Sequence, residues 1–251
     1  MSQLVYVLPV HNEEKVLEAN VARVVEHLGR YPGAEVFLVE NGSKDASWDL
    51  AHALEKKSSD VPVRVPVRAF QEPNAGIGYA YHRGLLEALE RFGPTPDRWA
   101  ILTAADLPFA FTDLDAATVH LARATSRMLM GSKAHPDSAA NMGPKRKLMS
   151  FVYRSARRAV LGMRVGDSQG SIFVRLDLAG AIVPKITSRN FFYSTELCHY
   201  AERLGERIVE LPVVLEEEKR ASTVRPWKHG SEMARQLWAL RQRDAKRDKT
   251  A

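Results

Sequence analysis

The sequence predicts an α/β fold, an open and mainly parallel sheet with helices on both faces. Three observations predict it. Two apolar runs, residues 4–10 (LVYVLPV) and 34–40 (AEVFLVE), are rich in Val and Leu, bounded by turn residues and too short for buried helices, as parallel strands are. A helical pattern follows each run, over residues 13–30 and 46–57. Strands go on alternating with helices for much of the chain, which puts helices over both faces of the sheet. Each of the first two runs also ends in a polar, acid-bearing turn, HNEE (11–14) and NGSKD (41–45). Open parallel sheets bind ligands at the carboxyl ends of their strands, so these turns are site candidates by position alone. Asn41-Gly42 supplies a tight turn, and Asp45 is placed to cap the helix beyond it.

The remaining elements follow in order. Residues 61–70 read as a third strand, near an edge because Pro62 and Pro66 interrupt it. Residues 76–92 form an amphipathic helix entered through the glycine-rich turn NAGIG, and residues 98–104 a fourth strand that ends in Ala-Ala-Asp. A helix over 112–125 and a strand over 127–132 come next. The polar loop 133–143 leads into a basic helix over 144–161. A strand over 171–176, a helix over 191–204 and a strand over 207–215 break the regular alternation of the first half.

Composition narrows the function classes. The 251 residues are 45% apolar and 26% charged, ordinary for a globular protein and enough for one large α/β domain. A net charge of +6 suits acidic partners: a nucleotide diphosphate, a lipid phosphate, an anionic membrane surface or nucleic acid. No nucleic-acid-binding motif accompanies that charge. Cys198, the single cysteine, has no internal disulfide partner and lies in a helical pattern, where it reads as a small buried hydrophobe. A thiolate metal site is excluded. No run of 18 apolar residues and no signal-peptide pattern is present, so the expectation is a cytoplasmic protein, with peripheral attachment at the inner membrane face as an option.

The motifs at the strand ends also carry a resemblance. PVHNEE (9–14) and VENGSKD (39–45) are followed by NAGIGYAYHRG (74–84), TAADLPF (103–109), MGSK (130–133), VGDSQGSIFVR (165–175) and ERIVELPV (206–213). Together they resemble the family-2 glycosyltransferases, inverting nucleotide-sugar enzymes of GT-A fold, over about residues 3–225. The similarity is greatest to the branch that glycosylates polyprenyl phosphates. It implies a single domain over residues 1–227, with a nucleotide-binding half over about 1–132 and an acceptor half over about 133–227. A basic amphipathic helix and tail, 228–251, follow.

The resemblance also implies roles. Pro9, His11, Glu13, Glu40 and Asn41 fall where the family holds the nucleoside, with His11 in place of a common tyrosine and Glu40-Asn41 in place of two usual aspartates. Asn74 and Gly76 open the glycine-rich turn, whose helix-start amides are suited to a phosphate or the nucleoside. Gly76, Gly78 and Gly84 also read as packing residues. At the fourth strand end the family carries two aspartates around one residue, and its carboxylates hold Mg²⁺ or Mn²⁺ against the diphosphate. Here the triplet is Ala104-Ala105-Asp106, so Asp106 is the one metal ligand left, a weak site without nucleotide phosphates. Lys133 stands where relatives place an arginine, and Lys145, Arg146 and Lys147 begin the next helix. Lys219, Arg220 and Ser222 resemble a looser form of a late basic segment, with Thr223 where a lysine is usual. Arg146 and Arg220 are the stronger phosphate candidates, because a guanidinium grips phosphate bidentately.

Asp167 matches an aspartate near the reacting centre of the family. A phosphate acceptor already carries its charge and needs no base, so Asp167 then orients the donor or a basic residue. A hydroxyl acceptor needs a carboxylate, for which Asp167 and Glu196 are the candidates. Glu196 is also explained as an acid in the first turn of a helix. In the tail, Met233, Leu237 and Leu240 recur at helical spacing beside Trp238, among Lys228, Arg235, Arg241, Arg243, Lys246, Arg247 and Lys249. Such a helix either lies on an anionic membrane or packs its apolar face on the domain. The expected function is metal-dependent transfer of a sugar from a nucleotide-diphosphate sugar to a polyprenyl phosphate. The alternatives are transfer to a soluble hydroxyl, and a non-catalytic protein that binds nucleotide or lipid phosphate.

Overall fold

A computed structural model describes residues 2–60, 64–123, 126–139, 143–215 and 226–250, without the side chains of 145, 146, 226–231 and 250. The first half runs β1 (Gln3–Val10), α1 (Leu17–Leu28), β2 (Glu35–Asn41), α2 (Ser47–Ser59), β3 (Val67–Glu72), α3 (Ile77–Phe92), β4 (Arg98–Leu102) and α4 (Thr112–Arg123). The second runs β5 (Met128–Gly131), α5 (Pro144–Leu161), β6 (Ile172–Arg175), α6 (Leu176–Ile182), α7 (Phe192–Arg203), β7 (Val209–Leu211) and α8 (Pro226–Thr250). The strands form one sheet in the order β3-β2-β1-β4-β6-β5-β7. All neighbours are parallel except β6, which runs antiparallel to both β4 and β5.

Both faces of the sheet are buried, which is why its strands read as continuous apolar runs. Val5, Val7, Phe37, Val39, Ala100 and Leu102 point to one face, where they meet α3, α6, α7 and α8. Leu4, Tyr6, Leu8, Val36, Leu38, Trp99 and Ile101 point to the other, under α1, α2 and α4. Gly84 lets α3 lie close on the sheet, since a Cβ there would come within 2.4 Å of a Val7 methyl. Cys198 is buried in the core, and burial pushes its thiol well above the ordinary range.

Several elements depart from the sequence reading, among them the last strand, which spans only Val209–Leu211. Helix α1 starts at Leu17, because Glu13 and Glu14 spend their amides on side chains of the neighbouring turn, Ser47 Oγ at 2.8 Å and Asp45 Oδ2 at 3.3 Å. The third strand begins at Val67, after both prolines, and sits at the sheet edge; residues 61–63 lie outside the described part. The short helix α6 is absent from the sequence reading, because it starts at Leu176 directly after β6 with no turn residue between them.

Helix α8 packs on the domain. Leu237 and Leu240 are buried, Asp244 meets His199 at 2.5 Å, and Arg243 meets Glu196 at 2.5 Å. Its Trp238 remains exposed.

Candidate active site

The chain builds β1, β2 and β3 outward in one direction and then crosses to β4 on the other side of β1. A crevice at such a reversal, outside the carboxyl ends of the two strands, is where open α/β sheets bind ligands. His11 follows β1 and Ala104–Asp106 follow β4, so these two candidates flank it. Because β6 is antiparallel, the segment preceding it reaches the same rim, and Ile172 pairs with both Leu102 and Met130. That places Asp167 beside Lys133.

The HNEE and ENGSKD turns are clasped together. Asn12, in the left-handed region at φ 56°, accepts the Lys44 amide at 2.8 Å and donates its own amide to Ser43 Oγ at 3.0 Å. Asp45 accepts the amides of Glu14 and Ser47, so it braces the start of α2 from one residue before the cap position. The exposed His11 ring is held by Nδ1 to the Asn41 carbonyl at 2.8 Å, which leaves the rest of the ring facing outward. Glu40 is buried and accepts the Ser43 amide at 2.5 Å. Asn41 is buried as well. Its amide, oriented to satisfy its neighbours, donates to the Val10 carbonyl at 3.0 Å and accepts from the Gly76 amide at 3.0 Å. An aspartate could not make the first of these bonds, which explains an asparagine at this position. The second bond engages the Gly76 N–H, while Asn74 is exposed and bonds to Glu72 through its backbone and side-chain nitrogens, at 2.9 and 2.7 Å. Pro9 is half-buried within β1, paired with Val39.

The loop after β4 presents Asp106 outward. Ala105, Leu107 and Phe109 alternate with it and are buried, and Asn20 Nδ2 donates to the Ala105 carbonyl at 2.9 Å. Leu107, Ala110 and Phe111 all have positive φ, at 50°, 43° and 70°. Non-glycine residues there cost about 1–2 kcal/mol each, a strain held in place by the buried side chains and by Phe111 stacking on His27 at 4.2 Å. Asp106 lies near enough to Tyr81 to add to the upward push that burial gives its phenol. Among the described residues no group of three or more His, Cys, Asp or Glu side chains could hold a metal. One exposed carboxylate fits an Mg²⁺ or Mn²⁺ ion shared with nucleotide phosphates and water, and it does not fit a pre-formed protein cage.

The third cluster joins the predicted Lys133 and Asp167. Lys133 Nζ stands 3.2 Å from Asp167 Oδ2, donates to the Gln169 carbonyl at 3.1 Å and lies 5.4 Å from the centre of the Phe109 ring. The ammonium therefore touches the Asp167 segment and the loop that carries Asp106. Asp167 also accepts the amides of Lys133 at 3.2 Å and Gln169 at 2.8 Å. Two residues behind it escaped sequence reasoning. Glu210 on β7 accepts the amides of Gly166 and Asp167 at 2.8 and 3.2 Å and the Ser132 hydroxyl at 2.5 Å. Arg157 on α5 is buried and donates to the Gly166 carbonyl at 3.0 Å. A glutamate in a short strand and an arginine in a basic helix both look like surface residues in sequence; Glu210 is half-buried through the pairing of β5 with β7, and Arg157 is buried by the docking of α5.

Glu196 is not placed as a base. It is fully buried, with its oxygens taken by the Thr187 amide at 2.7 Å, the Ser188 hydroxyl at 2.7 Å and Arg243. Burial alone would raise its carboxyl, but those hydrogen bonds outweigh it and hold the group below its ordinary value. Arg146 lies in the first turn of α5 with its side chain outside the described atoms, and Arg220, Lys219, Ser222 and Thr223 lie outside the described residues altogether.

The chain matches known proteins in sequence and in fold. Residues 6–173 match the family model of glycosyl transferase family 2. The undecaprenyl-phosphate mannosyltransferase of Micrococcus luteus is 26% identical over 214 residues, 84% of this chain and 82% of that protein. Glycosyltransferase AglD of Haloferax volcanii is 26% identical over 218 residues, 82% of this chain and 32% of that longer protein. Among solved structures, glucosyl-3-phosphoglycerate synthase of Mycobacterium tuberculosis with UDP superposes with a TM-score of 0.59 at 20% identity, covering 96% of this chain and 78% of that one. The same enzyme with Mn²⁺, UDP-glucose and phosphoglyceric acid gives a TM-score of 0.59 at 20% identity, over 94% and 77% of the two chains. At that identity the likeness establishes the GT-A fold.

Proposed function

The chain belongs to glycosyl transferase family 2, and from that premise we propose that it transfers a sugar, with inversion, from a nucleotide-diphosphate sugar to a polyprenyl phosphate. The observation that carries the reading is the meeting of three segments at one rim, with Lys133 bridging the Asp106 loop and the Asp167 segment. The mannosyltransferase that matches most of the chain acts, by its name, on undecaprenyl phosphate, which supports a lipid-phosphate acceptor.

In this reading residues 1–132 hold the donor and residues 133–227 receive the acceptor. The nucleoside lies against His11 and the clasped turns that include Pro9, Glu13, Glu40 and Asn41, with the latter two acting from behind as braces. Asp106 would hold Mg²⁺ or Mn²⁺, and that ion would supply positive charge to offset the leaving diphosphate. An acceptor phosphate oxygen forms a bond to the anomeric carbon as the bond from that carbon to the diphosphate oxygen breaks, and the electron pair leaves with the nucleoside diphosphate. Lys133 supplies positive charge where negative charge moves, and Asp167 and Gln169 fix the ammonium in place. No proton has to be removed from a phosphate acceptor. Arg146 and Arg220 are proposed to draw that phosphate in.

A second reading keeps the donor and replaces the acceptor by a soluble hydroxyl. Asp167, half-buried at the rim, favours it as the carboxylate for the proton, provided that it releases Lys133. The deciding experiment incubates the protein with UDP-, GDP- and dTDP-sugars, with and without Mn²⁺, and with a short polyprenyl phosphate or soluble hydroxyl acceptors, reading products by mass spectrometry. A Mn²⁺-stimulated glycosyl phospholipid supports the first reading. A glycoside of a soluble alcohol supports the second, and absence of both transfer and donor hydrolysis supports a binding protein without catalysis.

A further inference from the structure

The outer face of α5 takes no part in the site described above. Leu148, Phe151 and Val152 are 63%, 56% and 57% exposed, and their i, i+3, i+4 spacing puts them side by side on one helix face. The exposed Ser155 and Ala159 continue that stripe without adding charge. Lys147, Arg154 and Arg158, spaced by seven and then four residues, form a second stripe along its edge. The Arg154 guanidinium lies 5.8 Å from the centre of the Phe151 ring, so the two stripes touch.

The opposite face of the helix is committed to the protein. Tyr153, Ala156 and Val160 pack on the core, the Tyr153 hydroxyl meets Thr195 at 2.8 Å, and Arg157 holds the Gly166 carbonyl. The exposed stripe therefore stands about one helix diameter, roughly 10 Å, from the loop that carries Asp167. Helix α8 is the poorer membrane candidate, because Leu237 and Leu240 are buried against the domain.

We propose that the outer face of α5 docks on an anionic lipid bilayer. Leu148, Phe151 and Val152 enter the boundary between headgroups and acyl chains, and Lys147, Arg154 and Arg158 meet the lipid phosphates. Charge complementarity selects this occupant. Helix α5 carries no acidic residue, so a second copy of this face offers Lys147, Arg154 and Arg158 no counter-charge, whereas lipid phosphates do. The docking stands on the helix surface itself; its bearing on catalysis, delivery of a lipid-linked phosphate to the rim beside it, rests on the proposed function.

The test is co-sedimentation of the full chain with vesicles of phosphatidylglycerol and phosphatidylcholine, compared with phosphatidylcholine alone. Wild-type protein is expected to bind the anionic vesicles and to release as salt rises. Combined Leu148→Ser, Phe151→Ser and Val152→Ser should weaken binding by about tenfold or more, and combined Lys147→Glu, Arg154→Glu and Arg158→Glu should abolish the preference for anionic lipid. The single Phe151→Ser variant gives an intermediate loss and guards against a folding defect, with circular dichroism as the control. Failure of the wild type to bind either vesicle overturns the proposal, as does an apolar triple variant that is folded and binds as tightly as wild type. A wild-type dimer that the apolar variant converts to monomers, without vesicle binding, assigns the face to a second copy instead. Transfer to a short, water-soluble prenyl phosphate is read separately, so loss of docking and failure of the transferase reading are distinguishable.

Discussion

Lys133 Nζ and Asp167 Oδ2 lie 3.2 Å apart although 34 residues separate them in sequence, and the antiparallel course of β6 is what brings them together. One residue follows a strand and the other precedes a strand, yet both reach the same rim. The pair puts a fixed positive charge beside the acidic loop without an arginine.

The pair separates the two acceptor chemistries. If a phosphate attacks, Asp167 is a positioning residue, and Asp167→Asn should lower kcat by less than about 100-fold while Lys133→Ala costs at least as much. If a hydroxyl attacks, Asp167 removes its proton, and Asp167→Asn should cost about 10²–10⁴-fold with donor binding intact. Steady-state transfer rates beside calorimetric donor binding decide between them.

Asp106 carries the metal prediction. A single carboxylate should bind Mn²⁺ measurably only with a nucleotide diphosphate present. Asp106→Ala should then abolish the Mn²⁺-dependent part of nucleotide affinity and leave the thermal transition within a few degrees. Ala104→Asp should strengthen the metal-dependent part by restoring a second acid. Equal nucleotide affinity with and without Mn²⁺ in the wild type contradicts this role.

Asn41 shows how a motif position can change its work. The resemblance places it against the nucleoside, whereas its amide spans the Val10 carbonyl and the Gly76 amide inside the protein. Asn41→Asp turns a donor toward Val10 into an acceptor, which leaves that buried carbonyl opposed by negative charge. The expected loss is about 1–3 kcal/mol in urea unfolding. A variant as stable as wild type would mean that the amide does not bridge these two strands' loops.

Much of this architecture was legible in sequence. Valine- and leucine-rich runs ending in HNEE, ENGSKD and AAD announced parallel strands and a rim of polar turns, and the proline pair placed β3 at an edge. What the sequence hid were facts of long-range pairing. The antiparallel β6 looks like any other apolar run, because burial on both faces removes the alternation that would mark its partners. Glu210 and Arg157 find their partners only in segments that lie 43 or 44 and 9 residues away in sequence. The tail is ambiguous in sequence for a similar reason: amphipathic spacing in α8 is the same whether its apolar stripe meets lipid or the core of the domain.

Arg243 on α8 reaches the fully buried Glu196 on α7, so α8 contributes a counter-charge to the core as well as apolar cover. Removing one member of such a pair leaves an uncompensated buried charge, and Arg243→Ala should cost about 3 kcal/mol or somewhat less, since the arginine is partly exposed. Adding Glu196→Gln should recover part of that loss, because the buried group then needs no counter-ion. The pH dependence has a definite sign. The Glu196 carboxyl titrates below its ordinary value in the folded protein, so its stabilising effect is present above the unfolded value near 4.5 and fades as pH falls through the folded one. Wild type should therefore lose more stability than the double variant when acidified below about pH 4.5, as read by urea unfolding at a series of pH values. Parallel pH curves for the two proteins would remove the buried ion pair from the account of how α8 is held.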